Sequence, residues 1–374
     1  MSDWSRPFDV AYRVMRVDRV SGVEVAELPW VISGGGIDRD LGLDIRESGS
    51  LTVLGDPRIG SDWVRVWADV TWHDGSKESV ALGTFLPNVP KRDIDWRAST
   101  SPIDLYGLLQ NAASDVFENP ITIGEGENPV DQAANILKGC GLKIAAYDSG
   151  DYTLSEPWTF GLRGADGESS DGSKLDAVNE LLDLANYSAA RTNPMGEIVL
   201  EPYEIPQDRA PSWDFTEGER ARFLAQMTEE RDLMTVANVV KVTYWTSEKE
   251  YTAVAIDDDP NSEFSTVTRG RRVAATYEYS NIPEDIKDDD KAIQDLAYKT
   301  ADSLLNSVQS VVHRITFSHV YAPVNLHDVV SMTFPTGGVE GNFAVWSQHI
   351  DLTAGIPIQC EARDFDRKEG NSFE

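Results

Sequence analysis

The segment that most limits what this 374-residue chain can become is Val64–Phe85. Apolar and polar residues alternate from Val64 to Trp72, and the run stops at His73-Asp74-Gly75-Ser76. Asp-Gly supplies the positive φ values of a tight hairpin, so a return strand is expected from Glu78 to Phe85. A period of two puts Val64, Val66, Ala68 and Val70 on one face and Arg65, Trp67, Asp69 and Thr71 on the other. The first set belongs in a core. Phe8–Val17 alternates in the same way, and shorter strands fit Val23–Leu28, Ser48–Leu54 and Asp95–Leu105. Residues 1–112 therefore read as an antiparallel β domain of about six to eight strands, a barrel or a sandwich.

A different texture follows. Leu105–Ala112 fits a short helix, and Pro129–Gly139 fits a longer one with proline at its start and glycine at its end. Ser173 is an N-cap for a helix reaching Tyr187, whose stripe is Leu175, Val178, Leu181, Leu182 and Ala185. Strands Tyr187–Thr192 and Glu197–Tyr203 flank the turn Asn193-Pro194-Met195-Gly196, completing a small α/β module over 113–205. After the linker-like Pro206–Pro211, strands are expected at Val236–Trp245, Thr252–Ile256, Arg271–Tyr279, Val311–Val320, Val329–Phe334, Phe343–Leu352 and Ile358–Arg363. A helix over 291–308 interrupts them, with its stripe at Ile293, Leu296, Ala297, Thr300, Leu304 and Val308. Residues 206–365 thus read as a second β domain with an inserted helix, and 366–374 as a polar tail. The fold class is mainly β with α+β parts.

Charge narrows the partners. Asp and Glu number 63 against 33 Lys and Arg, a net charge of −30. That field repels phosphate backbones and excludes tight electrostatic binding of nucleic acid, while leaving room for a surface past which nucleic acid slides. Cys140 and Cys360 stand far apart and read as small buried fillers rather than a bridge. The first residues have no basic start followed by an apolar core, so no signal peptide is expected. No apolar run approaches the ~20 residues of a membrane-spanning helix.

Chemistry-bearing motifs fail on context. Gly34-Gly35-Gly36 precedes Ile37 and Asp38 rather than Lys-Ser or Lys-Thr, so it is expected to be a plain loop and not a phosphate cradle. Asp257–Glu263 alternates oxygen ligands, but Ser262 occupies the position where a calcium loop turns on glycine and Thr268 that of its closing glutamate. A solvated loop is expected there. Asp166–Gly172 reads as a flexible loop, and Asp288-Asp289-Asp290 as charge stabilising the start of the long helix. The histidines His73, His313, His319, His327 and His349 lack metal-ligand spacing, although His313 and His319 share one strand face. Neither a serine elbow nor a cysteine with a histidine partner is visible. A scattered carboxylate pair leaves no spacing to read. No catalytic, cofactor-binding or metal residue is therefore named.

Arg46-Glu47-Ser48-Gly49-Ser50-Leu51-Thr52-Val53 is followed by Ile59-Gly60-Ser61-Asp62-Trp63-Val64-Arg65-Val66, the hairpin, and Leu82-Gly83-Thr84-Phe85-Leu86-Pro87. Leu181–Tyr187 and Gly196–Tyr203 come next, then Leu326-His327-Asp328-Val329-Val330 and Gln348-His349-Ile350-Asp351-Leu352. In this order the segments resemble the tail hub proteins of siphophages, including minor tail proteins of actinobacterial phages, and the related baseplate hub of contractile phages and gene-transfer particles. The resemblance implies two tail-tube-like β-barrels, 1–112 and 206–365, with the module 113–205 between them. Three such chains would present six barrels to a six-fold tail tube. It further implies a structural, non-enzymatic homotrimer in the virion at the tail tip, assembled in the host cytoplasm. Its partners would be the tail tube or distal tail protein, the tape-measure protein, and tail fibre or receptor-binding proteins. Phage DNA would pass its lumen without tight binding. Some relatives carry an appended lysozyme or peptidase domain, and none is expected within a sequence that stops shortly after Arg363.

The rival reading is a carbohydrate-binding or cell-wall-cleaving β protein of the tail tip. Ten tryptophans would suit sugar stacking. Trp63, Trp67 and Trp72, however, lie on alternating strands and are more simply core or interface residues.

Overall fold

A computed structural model of the chain describes residue 4 and residues 6–54, 59–89, 100–154, 156–161, 172–204, 209–219, 221–231, 234–246, 249–262, 264–279, 282, 286–287, 289–310 and 313–364. The N-terminal region holds seven strands: β1 (Phe8–Val17), β2 (Glu24–Leu28), β3 (Val31–Asp40), β4 (Glu47–Leu54), β5 (Trp63–Trp72), β6 (Lys77–Asn88) and β7 (Thr100–Gly107). The alternation read from Val64 holds. Val64, Val66, Ala68 and Val70 are all buried, in one cluster with Val14, Leu51, Val53, Phe85, Ile103 and Leu105. Gly75, at the hairpin turn, has a φ of +83°, as the Asp-Gly dipeptide requires.

Gly34–Gly36 lies inside β3 rather than in a loop. Glycines leave no apolar alternation to read, and here they serve close backbone approach. Gly35 has a φ of +141°, and a Cβ on it would collide with the Ser50 carbonyl oxygen. A Cβ on Gly36 would stand 2.7 Å from the His349 ring.

The middle region contains α1 (Gln110–Ala113), β8 (Ile121–Ile123), α2 (Pro129–Gly139), β9 (Lys143–Ile144), β10 (Trp158–Phe160), α3 (Lys174–Leu184), β11 (Arg191–Thr192) and β12 (Glu197–Val199). Asn128 caps α2 through its side-chain oxygen, which accepts from the backbone N–H groups of Val130 and Asp131. Ser173 and Asp176 form a reciprocal capping box on α3. Leu175, Val178, Leu181 and Leu182 meet Val130, Ala133, Ala134 and Leu137 of α2 in one core. The expected loop at Asp166–Gly172 lies outside the described residues except for Gly172.

The C-terminal region splits. β13 (Trp213–Thr216) and β14 (Phe223–Arg231) come first, and β18 (His313–His319), β19 (Val329–Phe334), β20 (Val339–Asp351) and β21 (Ile358–Asp364) come last. Between them lie β15 (Val239–Trp245), β16 (Glu250–Ile256), α4 (Thr266–Arg269), β17 (Ala274–Tyr279) and α5 (Asp290–Ser310). Strands β16-β15-β17 form a separate sheet. α5 covers it, with Ile293, Ala297, Ala301 and Leu305 against Val240, Val242 and Tyr244. Asp289 accepts from the N–H groups of Lys291 and Ala292, so the acidic start of α5 is a cap.

Two separate barrels do not describe the strand ladder. One 13-stranded sheet runs β14-β18-β21-β20-β3-β4-β7-β6-β5-β1-β2, with β19 and β13 branching from β20. Its ends do not close among the described residues. The first and last β regions are fused because β20 is long enough to pair with β19 in its first half and β3 in its second, where Gln348 lies opposite Arg39 and His349 opposite Asp38. Two hydrophobic clusters lie under the sheet, one around Val66 and one around Phe215, Phe317 and Phe343.

Candidate assembly surface

Alternation gives the long sheet a second face. On it stand Asp104 of β7, Ser48, Ser50 and Thr52 of β4, Gly34, Gly36 and Asp38 of β3, Ser347, His349 and Asp351 of β20, Gln359 and Glu361 of β21, and Thr316 and Ser318 of β18. All but Gly36 are exposed or half-exposed. Those of β7, β4, β3, β20 and β21 come from strands whose only Lys or Arg residues are Arg39 and Arg363. Arg39 is turned to the core side, where it donates to the Leu82 carbonyl at 2.7 Å. Arg363 pairs with Glu361 at 2.9 Å. The exposed face is therefore hydroxyl-rich and mainly acidic, with Tyr106 at its β7 end and, at its β18 end, Arg314 paired with Glu230.

At its β5–β6 end the same face is covered. Arg65, expected to face away from the core, is only 3% exposed. Its guanidinium donates to Thr84 Oγ1 at 2.8 Å, to Glu24 Oε1 at 2.9 Å and to the Met195 carbonyl. Thr84 in turn donates to the Pro194 carbonyl at 2.9 Å, and Trp67 donates to Glu24 at 2.8 Å. The turn Asn193–Gly196 of the middle region thus sits on β5 and β6 through a buried charge with a hydrogen-bond partner for each guanidinium nitrogen. A strand pattern reports that Arg65 faces outward but not what lies over it.

Between the middle region and the last β region lies a cavity of about 490 Å³, lined by Arg191, Asn193, Glu201, Arg209, His327 and Asp328 among others. Arg191 holds Glu201 by two bonds of 2.9 Å, and Arg209 donates to the His327 carbonyl at 3.0 Å. Burial, with Arg46 beside it, pushes the His327 imidazole down to about 4, and burial raises Asp328. Nearby, Glu47 is pushed up to about 7 by burial, against the pull of Arg39, Arg191 and Arg46. Among the described residues each guanidinium lining the cavity, Arg191 and Arg209, is paired or hydrogen-bonded.

The other residues weighed from sequence are accounted for locally. His319 packs against Phe215 and Phe317, with burial lowering it to about 4, and His313 on the same face pairs with Glu229 and Asp364. Asp257, expected in a solvated loop, is instead buried and accepts from Ser262 Oγ at 2.6 Å and Gln309 Nε2 at 3.0 Å. Cys360 is buried, whereas Cys140 is only half-buried, and both are free thiols. Trp63 and Trp72 are buried and present no stacking surface. Among the described residues no group of three or more His, Cys, Asp or Glu is arranged to hold a metal ion, and no helix is long and apolar enough to cross a membrane.

Neither a family model nor a curated protein matches the sequence. Solved structures do match the fold. The tail protein from Neisseria meningitidis MC58 superposes with a TM-score of 0.65 at 13% identity, over 95% of this chain and 97% of that one. The chain has the fold of a phage tail protein. The 43 kDa tail protein of prophage MuSo2 from Shewanella oneidensis matches at a TM-score of 0.61 and 10% identity, covering 95% and 98% of the two chains. A chain of the lidded Francisella PdpA-VgrG complex matches at 0.56 and 6% identity, over all of this chain and 56% of that one. The tail fold therefore spans nearly all of the chain.

Proposed function

We propose that the chain is a structural, non-enzymatic hub of a phage-type tail, acting as a homotrimer that closes or adapts the tail tube at the tip. The observation that carries this reading is the polar, mainly acidic face running from β7 to β21, whose flanking cations Arg363 and Arg314 are paired with Glu361 and Glu230. Three copies arranged in a ring would turn six β regions inward, two per chain, matching the six-fold symmetry of a tube. In this reading 1–112 and 206–365 form the ring, and 113–205 is anchored through Arg65 over the β5–β6 end of the same sheet face. The exposed face would line the lumen, with the carboxylates Asp38, Asp104, Asp351 and Glu361 outnumbering the cations His349 and Arg363 among them, so that the net field repels a passing phosphate backbone and DNA or a tape-measure protein moves without adhering. Its axial partners would be the tail tube or distal tail protein, and its peripheral ones tail fibre or receptor-binding proteins.

The test is mass and passage. The purified chain, alone or with tail tube protein, is expected at three copies by light scattering, and labelled chain at the tail tip by electron microscopy. Ser50→Lys with Ser347→Lys should leave folding intact and slow DNA release from assembled particles. A chain that remains monomeric while completing tails, or lysines that change nothing, would refute the ring.

A further inference from the structure

Asp38 and Arg39 are consecutive in β3 and point to opposite faces of the seam that fuses the two β regions. Outside, the His349 ring lies over the notch left by Gly36. Its Nδ1 is 2.6 Å from Asp38 Oδ1 on β3, and its Nε2 is 3.5 Å from Asp351 Oδ1 on β20. Inside, Arg39 is opposite both Gln348 and Glu47. It reaches Gln348 Oε1 at 3.5 Å, and Gln348 donates to the Val324 carbonyl at 3.0 Å. Glu47 Oε2 is buried there without a hydrogen-bond partner.

We propose that this seam is a proton-operated joint. It is held while His349 is charged and Glu47 is neutral, and loosened when both give up a proton. His349 as an imidazolium bridges carboxylates of two strands; as neutral imidazole it bridges one at most and leaves Asp38 and Asp351 as like charges. Glu47 when neutral avoids a desolvated carboxylate whose buried Oε2 has no hydrogen-bond partner, a cost that its neighbouring arginines only partly offset.

The surroundings support this assignment from every packed element. Around His349 stand Asp38 on β3 and Asp351 on β20, with Gln359 opposite on β21 and Asp40 and Glu361 diagonal to it. Around Glu47 stand Arg39 of β3, Arg46 beside it, and Arg191 of β11. The hydrogen bond that His349 donates to Asp38 raises its imidazole above its ordinary 6.5, and burial raises Glu47 from 4.5 to about 7. Each group therefore binds its proton more tightly folded than unfolded. Stability is fully present below the unfolded values and is lost as pH rises through the folded ones. The two losses overlap near neutrality and act on one strand, β3.

Amide hydrogen exchange on the full chain, corrected for intrinsic rates, tests this. Amides of β3 and the second half of β20 should open more readily at pH 8 than at pH 6. The exposed His349 pair alone accounts for a factor of about two to five. Glu47→Gln and His349→Gln should each reduce the change, and the double variant should abolish it. Equal protection at both pH values in the wild type, or an undiminished change in the double variant, overturns the proposal. Should His349→Gln fail to fold, the wild-type His349 titration by NMR decides. A pKa above 6.5 that falls in Asp38→Asn supports the joint, and a pKa at or below 6.5 refutes it.

Discussion

Removing Arg65 should detach the middle region from the first β region before either unfolds. Arg65→Ala deletes three hydrogen bonds, to Thr84, Glu24 and the Met195 carbonyl, from a guanidinium that is almost wholly buried. Glu24 keeps its bond from Trp67 and its side chain is 25% exposed, so its abandoned charge costs less than one sealed in a core. Breaking a fully buried pair costs about 3–5 kcal/mol; with that exposure, about 2–4 kcal/mol is expected here. Arg65→Lys should recover only part of this, because an ammonium on one stem cannot match a guanidinium's fixed directions. Glu24→Gln, which still accepts from both donors, should cost about 1 kcal/mol. The assay is urea unfolding followed by near-UV signal, with limited proteolysis at the Asn193–Gly196 turn. Arg65→Ala should expose that turn to cleavage at urea concentrations where the β regions remain folded. An Arg65→Ala loss below about 1 kcal/mol, or a turn no more cleavable than in the wild type, would mean that the middle region is held by its apolar contacts alone.

Further expectations are independent of that anchor. Val66→Asp places an unpaired carboxylate in the first core and should cost about 5 kcal/mol, giving insoluble or unfolded chain by circular dichroism; normal folding would mean that the register of β5 is wrong. Glu47→Gln should match the wild type at pH 4 and exceed it at pH 8 by at most about 3 kcal/mol, the span from 4.5 to about 7, in urea midpoints. His319 acts in the opposite direction: burial favours its neutral form, so stability present above 6.5 is lost as pH falls through about 4. His319→Phe should therefore flatten the acid limb of the stability curve, and an unchanged limb would assign acid sensitivity elsewhere. Gly35→Val should abolish folding, since φ +141° and the Ser50 carbonyl both exclude a side chain; a folded variant would show that β3 and β4 can separate.

Much of the local structure was legible in the sequence. β1 and β5 announce themselves because each buries one face, and hydrophobicity then repeats every second residue. α2 and α3 begin at Pro129 and after Ser173, whose chemistry suits helix starts wherever the helix is. Strands without that signal were missed. β3 is carried through its middle by three glycines whose purpose is to let strands β4 and β20 approach. β14 is an edge strand, exposed along most of its length, and so shows no alternation between Leu224 and Glu230.

Pairing was decided only by the tertiary structure. The strands Val239–Trp245 and Val339–Asp351 carry the same kind of pattern, yet one joins a small sheet under α5 and the other fuses two β regions. Alternation records how many faces of a strand are buried, and a backbone ladder forms equally well with any partner in register. Arg65, Asp38 and His349 acquire their roles only when segments far apart in the sequence meet. A side chain's hydrophobicity is its own property, whereas its hydrogen-bond partners are a property of whatever the fold brings within 3 Å of it.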